Sequence, residues 1–164
     1  MVLRYLRAFG PASVMDIQAW CSLTRLREVT DGLGKQLRRY RTDEGGELLD
    51  LAEATLPDPD TPAPVRLLAE YDNATLGYSD RRRIIADGDH EWLSGGPGGA
   101  VGSVLVDGSV RATWALRRSG SDARLELHPS VRLSRAWRGE VEDEARRLLA
   151  FTAADADHEV WWSG

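Results

Sequence analysis

Three observations predict an α+β fold. Apolar residues recur at helical spacing through the first third of the chain and again near its end. Between about residues 100 and 129 the pattern switches to short alternating runs, two of them separated by Asp107-Gly108, a strong hairpin signal. Between these regions lies EATLPDPDTPAP (53–64), with four prolines and three carboxylates in twelve residues. So Pro-rich a stretch is stiff and extended, and it divides the chain into residues 1–52, a linker at 53–64, and residues 65–164.

The first part reads as three helices and a hairpin. Val2, Leu3, Leu6 and Phe9 face one way, and Gly10-Pro11 ends that helix. Ser13, three residues before Asp16, starts a second helix with the apolar face Val14, Ile17 and Trp20. After a turn at Cys21-Ser22-Leu23, Thr24 is the expected cap of a third helix, with Leu26, Val29 and Leu33 inward and Gly32 and Gly34 at its end. Leu37–Thr42 and Glu47–Leu51 then flank the hairpin loop DEGG. Helix, helix, turn, helix, hairpin is the order of a winged helix-turn-helix, in which the third helix enters a DNA groove and the hairpin is the wing.

The second part reads as a small antiparallel β domain closed by a helix. Val65–Tyr71 is a short strand, and Asp72–Ala86 a loop with a helical turn. Residues 87–99 form a polar, glycine-rich loop. Val101–Val106, Val110–Arg117 and Arg124–His128 are strands, and Val131–Trp137 is a possible extension of their sheet. A last helix is expected over Gly139–Ala153, with Val141, Ala145, Leu148 and Leu149 on its apolar face. Trp114, Trp20 and Trp137 read as core. The tail, HEVWWSG, reads either as a last strand or as an exposed aromatic pair for stacking.

Composition narrows the function. With 42% hydrophobic residues the chain can bury a core, and no apolar run reaches the length that spans a bilayer. The start, MVLRYLRAFG, has no apolar core and no small-residue cleavage site, so no signal peptide is read there. A single cysteine, Cys21, excludes an internal disulfide, and a cytoplasmic location is expected. The net charge is −5, which argues against coating nucleic acid by bulk attraction. The charge is uneven: residues 1–52 hold eight Lys/Arg against seven Asp/Glu, and the remainder thirteen against nineteen. All basic residues but Lys35 are arginine, whose planar fork suits phosphate and carboxylate alike.

The chemistry-bearing residues point to binding rather than catalysis. His90, His128 and His158 are far apart and no metal-ligand spacing occurs, so neither metal nor cofactor is expected. Asp87, Asp89, His90 and Glu91 read as a charged loop. GGPGGAVGS (95–103) lacks the Gly-Lys-Ser/Thr ending of a phosphate loop and precedes a strand. Asp72-Asn73 is either a helix cap or, less simply, a carboxylate that activates water. Arg25, Arg27, Lys35, Arg38, Arg39 and Arg41 form the best candidate DNA-contacting set. The alternative is that Glu28, Asp31, Asp43 and Glu44 neutralise them in ion pairs. Arg81 and Arg82 join the set. With Arg83 they follow one another directly, so they splay, one expected to pair inward with Asp72 or Asp80.

Four stretches carry a family resemblance: RYLRAFGPASVMDIQAW (4–20), LLAEYDNATLGYSDRRRII (67–85), GAVGSVLVDGSVRATW (99–114) and EVEDEARRLLAF (140–151). In this order they resemble the C-terminal part of the bacterial winged-helix DNA-binding proteins that include glycosylases of bulky alkyl adducts and interstrand crosslinks. The resemblance implies duplex DNA, damaged or not, as the partner. Ala69 departs from it, where the family has proline. The glycosylases' Gln-x-Gln or Gln-x-Asp pair, which the family places in an upstream winged-helix region, also has no counterpart: Gln18 and Gln36 each stand alone, so no catalytic residue is carried over. Three readings follow. The chain is a non-catalytic DNA-binding module, or part of a glycosylase whose catalytic residues lie elsewhere, or a protein-interaction module that forms a homodimer or holds a partner chain.

Overall fold

The short N-terminal helices stop where the sequence stops them. In the computed structural model, which describes residues 1–85 and 101–163, α1 covers Val2–Phe9. It buries Val2, Tyr5 and Leu6, and Gly10 returns its N–H to the Leu6 carbonyl. The α2 helix spans Val14–Cys21 and carries the expected capping box. Ser13 Oγ accepts the Asp16 N–H at 3.1 Å, and Asp16 Oδ2 accepts the Ser13 N–H at 2.8 Å. Such reciprocal bonds satisfy donors that a helix start leaves open. Trp20 is not core: it is 39% exposed, packs at a tilt against Tyr5 at 5.4 Å, and donates its indole N–H to Asn73 Oδ1.

The third helix, α3, covers Leu26–Gly32 and is phased differently from the expectation. Arg25 rather than Thr24 occupies the cap position, in left-handed backbone, and Gln18 Oε1 accepts the Leu26 N–H at 3.0 Å. The buried pair is Leu26 and Thr30, one turn apart, while Val29 is 49% exposed. Thr30 can be buried because its hydroxyl donates to the Arg27 carbonyl. A single 3₁₀ turn, Gly34–Gln36, leads into β1 (Leu37–Arg41), which pairs antiparallel with β2 (Glu47–Leu51). Ala12 exchanges two backbone hydrogen bonds with Leu49, fixing β2 to the connection between α1 and α2.

The chain forms two compact units: Met1–Thr61 with Asn73–Arg81, and Pro62–Asp72 with Arg82–Gly164. The first unit therefore takes in a segment from beyond the prolines. That segment begins with α4 (Asn73–Leu76). Tyr5 donates its hydroxyl to the Gly77 carbonyl at 2.6 Å, and Tyr78 donates to that of Phe9 at 3.0 Å. The free oxygen of the α2 capping carboxylate, Asp16 Oδ1, accepts the N–H groups of Ser79 (2.8 Å) and Asp80 (3.3 Å). The Asp16 residue is only 3% exposed. A buried carboxylate is tolerable when several donors replace its water, as they do here.

Among the described residues the second unit is one five-stranded sheet with a helix on one face. Its strands are β3 (Arg66–Leu68), β4 (Gly102–Val106), β5 (Ser109–Ser119), β6 (Asp122–Pro129) and β7 (Asp157–Trp162), in that spatial order. Asp107-Gly108 makes the β4–β5 turn, with both residues at positive φ, as such hairpins require. The sheet is mixed, not purely antiparallel, because β7 lies parallel to β6. Helix α5 (Arg135–Thr152) is the reason. A parallel partner needs a crossover, and 18 helical residues run about 27 Å, enough to carry the chain back along the sheet.

The same helix corrects the reading of Val131–Trp137 as strand. Ser134 caps α5 by accepting the Trp137 N–H at 3.2 Å, so the helix starts four residues earlier than expected. Val141, Ala145 and Leu149, spaced at four, pack fully buried on Ala123, Leu125 and Leu127 of β6 and Val104 of β4. Trp137 and Trp162 pack half-buried at the edge of this core. Trp114 donates its indole N–H to the Leu68 carbonyl at 2.9 Å and lies over Gly102, where any Cβ would strike the indole. The carboxylate cluster Asp87–Glu91 and the glycines at 95–99 lie outside the described residues. Among the described residues no helix is long and apolar enough to cross a membrane.

Two substitutions test these anchors. Asp16→Ala strands three backbone N–H groups and should lower the unfolding free energy in urea by about 2–3 kcal/mol. Gly102→Ala forces the indole of Trp114 to move and should cost about 1–3 kcal/mol by overpacking.

Candidate nucleic-acid interface

The α3 helix with its cap, the 3₁₀ turn and the hairpin carry six of the eight candidate cations, and strand alternation divides the three on β1. Side chains of a strand point alternately to its two faces. Arg39 and Arg41 share the face of Leu37, which is buried, and Arg38 and Tyr40 take the other. On that other face Arg38 donates to the Tyr40 hydroxyl at 3.4 Å and to the Ala52 carbonyl at 3.0 Å.

On the first face the arginines meet carboxylates. Arg39 donates one nitrogen to Glu47 Oε1 at 2.9 Å and another to Asp31 Oδ1 at 2.8 Å. Arg27, from α3, reaches Glu47 Oε2 at 3.3 Å. Asp31 was legible in the sequence as a neutralising partner. Glu47 was not, although its place opposite Arg41 on the paired strand puts it beside Arg39 on the same face. All four side chains are at least one-third exposed, and exposed pairs of this kind contribute about 0–1 kcal/mol each. They set the local charge more than the stability.

Three of the remaining cations stand apart from carboxylates among the described residues. Among the described residues, Arg25, Lys35 and Arg41 form no ion pair and are exposed. Arg25 caps α3, Lys35 lies in the 3₁₀ turn, and Arg41 ends β1. Arg81 is half-buried and ends the 73–81 segment of the first unit, whereas Arg82 is exposed and belongs to the second unit. Residues 82–84 form a turn.

Of the two glutamines, Gln18 has its side chain committed to the scaffold. Gln18 spends its carbonyl on the Leu26 N–H and its amide on Met15 Sδ, so it closes the turn between α2 and α3. Gln36 contributes its backbone carbonyl to Ala52. Among the described residues no group of three or more His, Cys, Asp or Glu converges as a metal site would. An apolar cleft of about 520 Å³ opens between α1 and α3, lined by Met1, Leu3, Leu23, Leu26, Val29 and Leu33. Sequence reading missed it because it assigned Val29 to the interior.

The chain thus combines a unit of three helices and a hairpin that carries most of the candidate arginines with a unit built on a mixed sheet. Comparison makes this specific. A family model described as DNA glycosylase AlkZ-like matches residues 1–151, and the chain belongs to that family. Among solved structures, the Streptomyces sahachiroi DNA glycosylase AlkZ aligns with a TM-score of 0.75 over 99% of this chain and 44% of that one, at 23% identity. That likeness carries the fold, and the chain spans less than half the length of that protein. Among curated proteins none matches significantly.

The charged cluster titrates in a defined direction. The Glu47 carboxyl is held below the ordinary glutamate range, chiefly by the hydrogen bond from Arg39, then by that cation's charge and by Arg27. Arg39 is raised in return, by Glu47 first and Asp31 second. A depressed carboxyl keeps the cluster closed at neutral pH and opens it as pH falls through the depressed value. Followed by side-chain carboxyl NMR, Arg39→Ala should raise the Glu47 midpoint toward the ordinary range, and Arg27→Ala should raise it less.

Proposed function

We propose that this chain is a non-catalytic duplex-DNA-binding module of the glycosylase family, in which α1–α3 and β1–β2 act as a winged helix. In this reading α3 lies at the major groove and the hairpin is the wing. Arg25, Lys35 and Arg41 make the first phosphate contacts. Arg38, with its guanidinium fixed beside Tyr40, serves the wing's outer face. Arg27, Arg39, Arg81 and Arg82 complete the contact set, and the protein works in the cytoplasm.

The observation that carries the reading is the set of exposed cations left without ion pairs on the helix cap, the following turn and the wing strand of a chain whose family is one of DNA glycosylases. Phosphate contacts position a protein on DNA and need only such cations, not base-reading groups. The non-catalytic part of the proposal is supported by Gln18, whose side chain is committed to the α2–α3 turn, and by the lack of a second glutamine near it.

The test is binding to a short fluorescent duplex, undamaged and alkylated, across a salt series. Affinity should fall steeply with salt, and each of Arg25→Ala, Lys35→Ala and Arg41→Ala should flatten the log–log slope by about 0.9. No binding at low salt overturns the reading. Release of the alkylated base would overturn its non-catalytic part.

A protein-interaction role is the second reading, favoured by the cleft between α1 and α3. Met1, Leu23 and Val29 are each about half exposed along it. A dimer or partner complex that persists at high salt without DNA would support it.

A further inference from the structure

Glu47 is gripped by two arginines. Arg27 and Arg39 come from different elements and donate to different oxygens of the same carboxylate, at 3.3 and 2.9 Å. Two guanidiniums closing on one oxyanion is an arrangement that holds a phosphodiester equally well, because the planar fork fits both anions. The groups are not locked in by burial: the side chains of Arg27, Arg39 and Glu47 are 64%, 41% and 36% exposed. Among the described residues only arginine donates to Glu47. A carboxylate needed for the scaffold is held differently, as Asp16 is, by backbone N–H groups in the interior.

We propose that Arg27 and Arg39 form a phosphodiester site masked by the chain's own Glu47, and that duplex DNA binds there by displacing that carboxylate. The inference rests on the duplex-binding reading. Binding is then an exchange of anions: the arginines trade Glu47 for a backbone phosphate, no covalent bond changes, and the released Glu47 carboxylate turns to water. Asp31 stays on the far nitrogen of Arg39 and keeps that guanidinium oriented during the exchange. Glu47 competes with DNA for the same donors, so its removal strengthens binding. A purely structural clasp between α3 and the hairpin would behave in the opposite way.

The experiment uses the full chain with Glu47→Gln, against the unsubstituted protein and Glu47→Gln/Arg27→Ala. Two titrations are run on each, with circular dichroism to verify folding. The first is the fluorescent duplex over a salt series. The second is dimethyl phosphate, followed at the arginine Nε–Hε NMR signals of Arg27 and Arg39. Glu47→Gln should bind the duplex about fivefold more tightly at low salt, the gain expected from removing one charge beside a phosphate. Arg27→Ala should cancel the gain and flatten the salt slope by about 0.9. Asp31→Asn, a second variant that leaves Glu47 in place, should give a smaller gain. If the unsubstituted protein binds duplex and Glu47→Gln binds no better, the masked site is overturned while the DNA-binding reading stands. If no protein binds duplex but Glu47→Gln takes dimethyl phosphate at Arg27 and Arg39, duplex DNA is overturned as the ligand and the anion site stands. If neither titration responds, both are overturned.

Discussion

The first unit depends on one buried carboxylate. Asp16 closes the capping box of α2 with one oxygen and receives the backbone of Ser79 and Asp80 with the other. These residues are more than sixty positions apart in sequence. The bond therefore does two jobs: it starts a helix, and it fixes a returning segment that the helix needs. Around it Tyr5, Phe9, Trp20 and Tyr78 pack in tilted and edge-on pairs at 5.2–6.4 Å, and two of their hydroxyls donate to the carbonyls of Gly77 and Phe9. Aromatic area supplies the attraction, and the polar tips choose which carbonyls it brings together. The unit is consequently not a continuous stretch of chain. Its last strand ends at Leu51, yet its packing is completed by residues that follow β3.

Much of the architecture was legible because it rests on local chemistry. The Ser13–Asp16 box, the Asp107-Gly108 hairpin and the four-residue spacing on α5 each follow from a rule that acts within a few residues. The differences came where distant partners decide. The phase of α3 shifted because Gln18 takes the Leu26 N–H from eight residues away and Thr30 satisfies its own hydroxyl, freeing Val29 to face outward. The helix at 135–152 began early because Ser134 is a better cap than any residue near Gly139, and its first turn is too polar to show a periodic stripe. Parallel pairing of β7 could not be read from the tail itself, since it is a property of the crossover. The return of residues 73–81 to the first unit was invisible for the same reason: a carboxylate that reads as a cap does not announce a second use.

The candidate interface was legible as residue types but not as an electrostatic arrangement. Sequence placed Arg25, Arg27, Lys35, Arg38, Arg39 and Arg41 near one another, and the hairpin places Arg38 on the face away from Arg39 and Arg41. It also paired Arg27 and Arg39 with Glu47, a residue whose role depends on strand register. Charge counts describe the amount of cation, whereas register decides how much of it is available. For an acidic chain this matters more than the net value, because local cancellation within a few ångströms outweighs a diffuse field screened over about 10 Å.

The parallel strand β7 has a further consequence. It lies at the outer edge of the five-stranded sheet and covers the hydrogen-bonding groups of β6 from Asp122 to Leu127. It also lies beyond residue 151, where the family match stops. A fragment trimmed to the matched region would leave β6 as a bare edge. A long uncovered edge is a template for joining strands between molecules. Strand β7 is therefore what keeps the long edge of β6 covered, and a cut at the family's boundary would remove that cover.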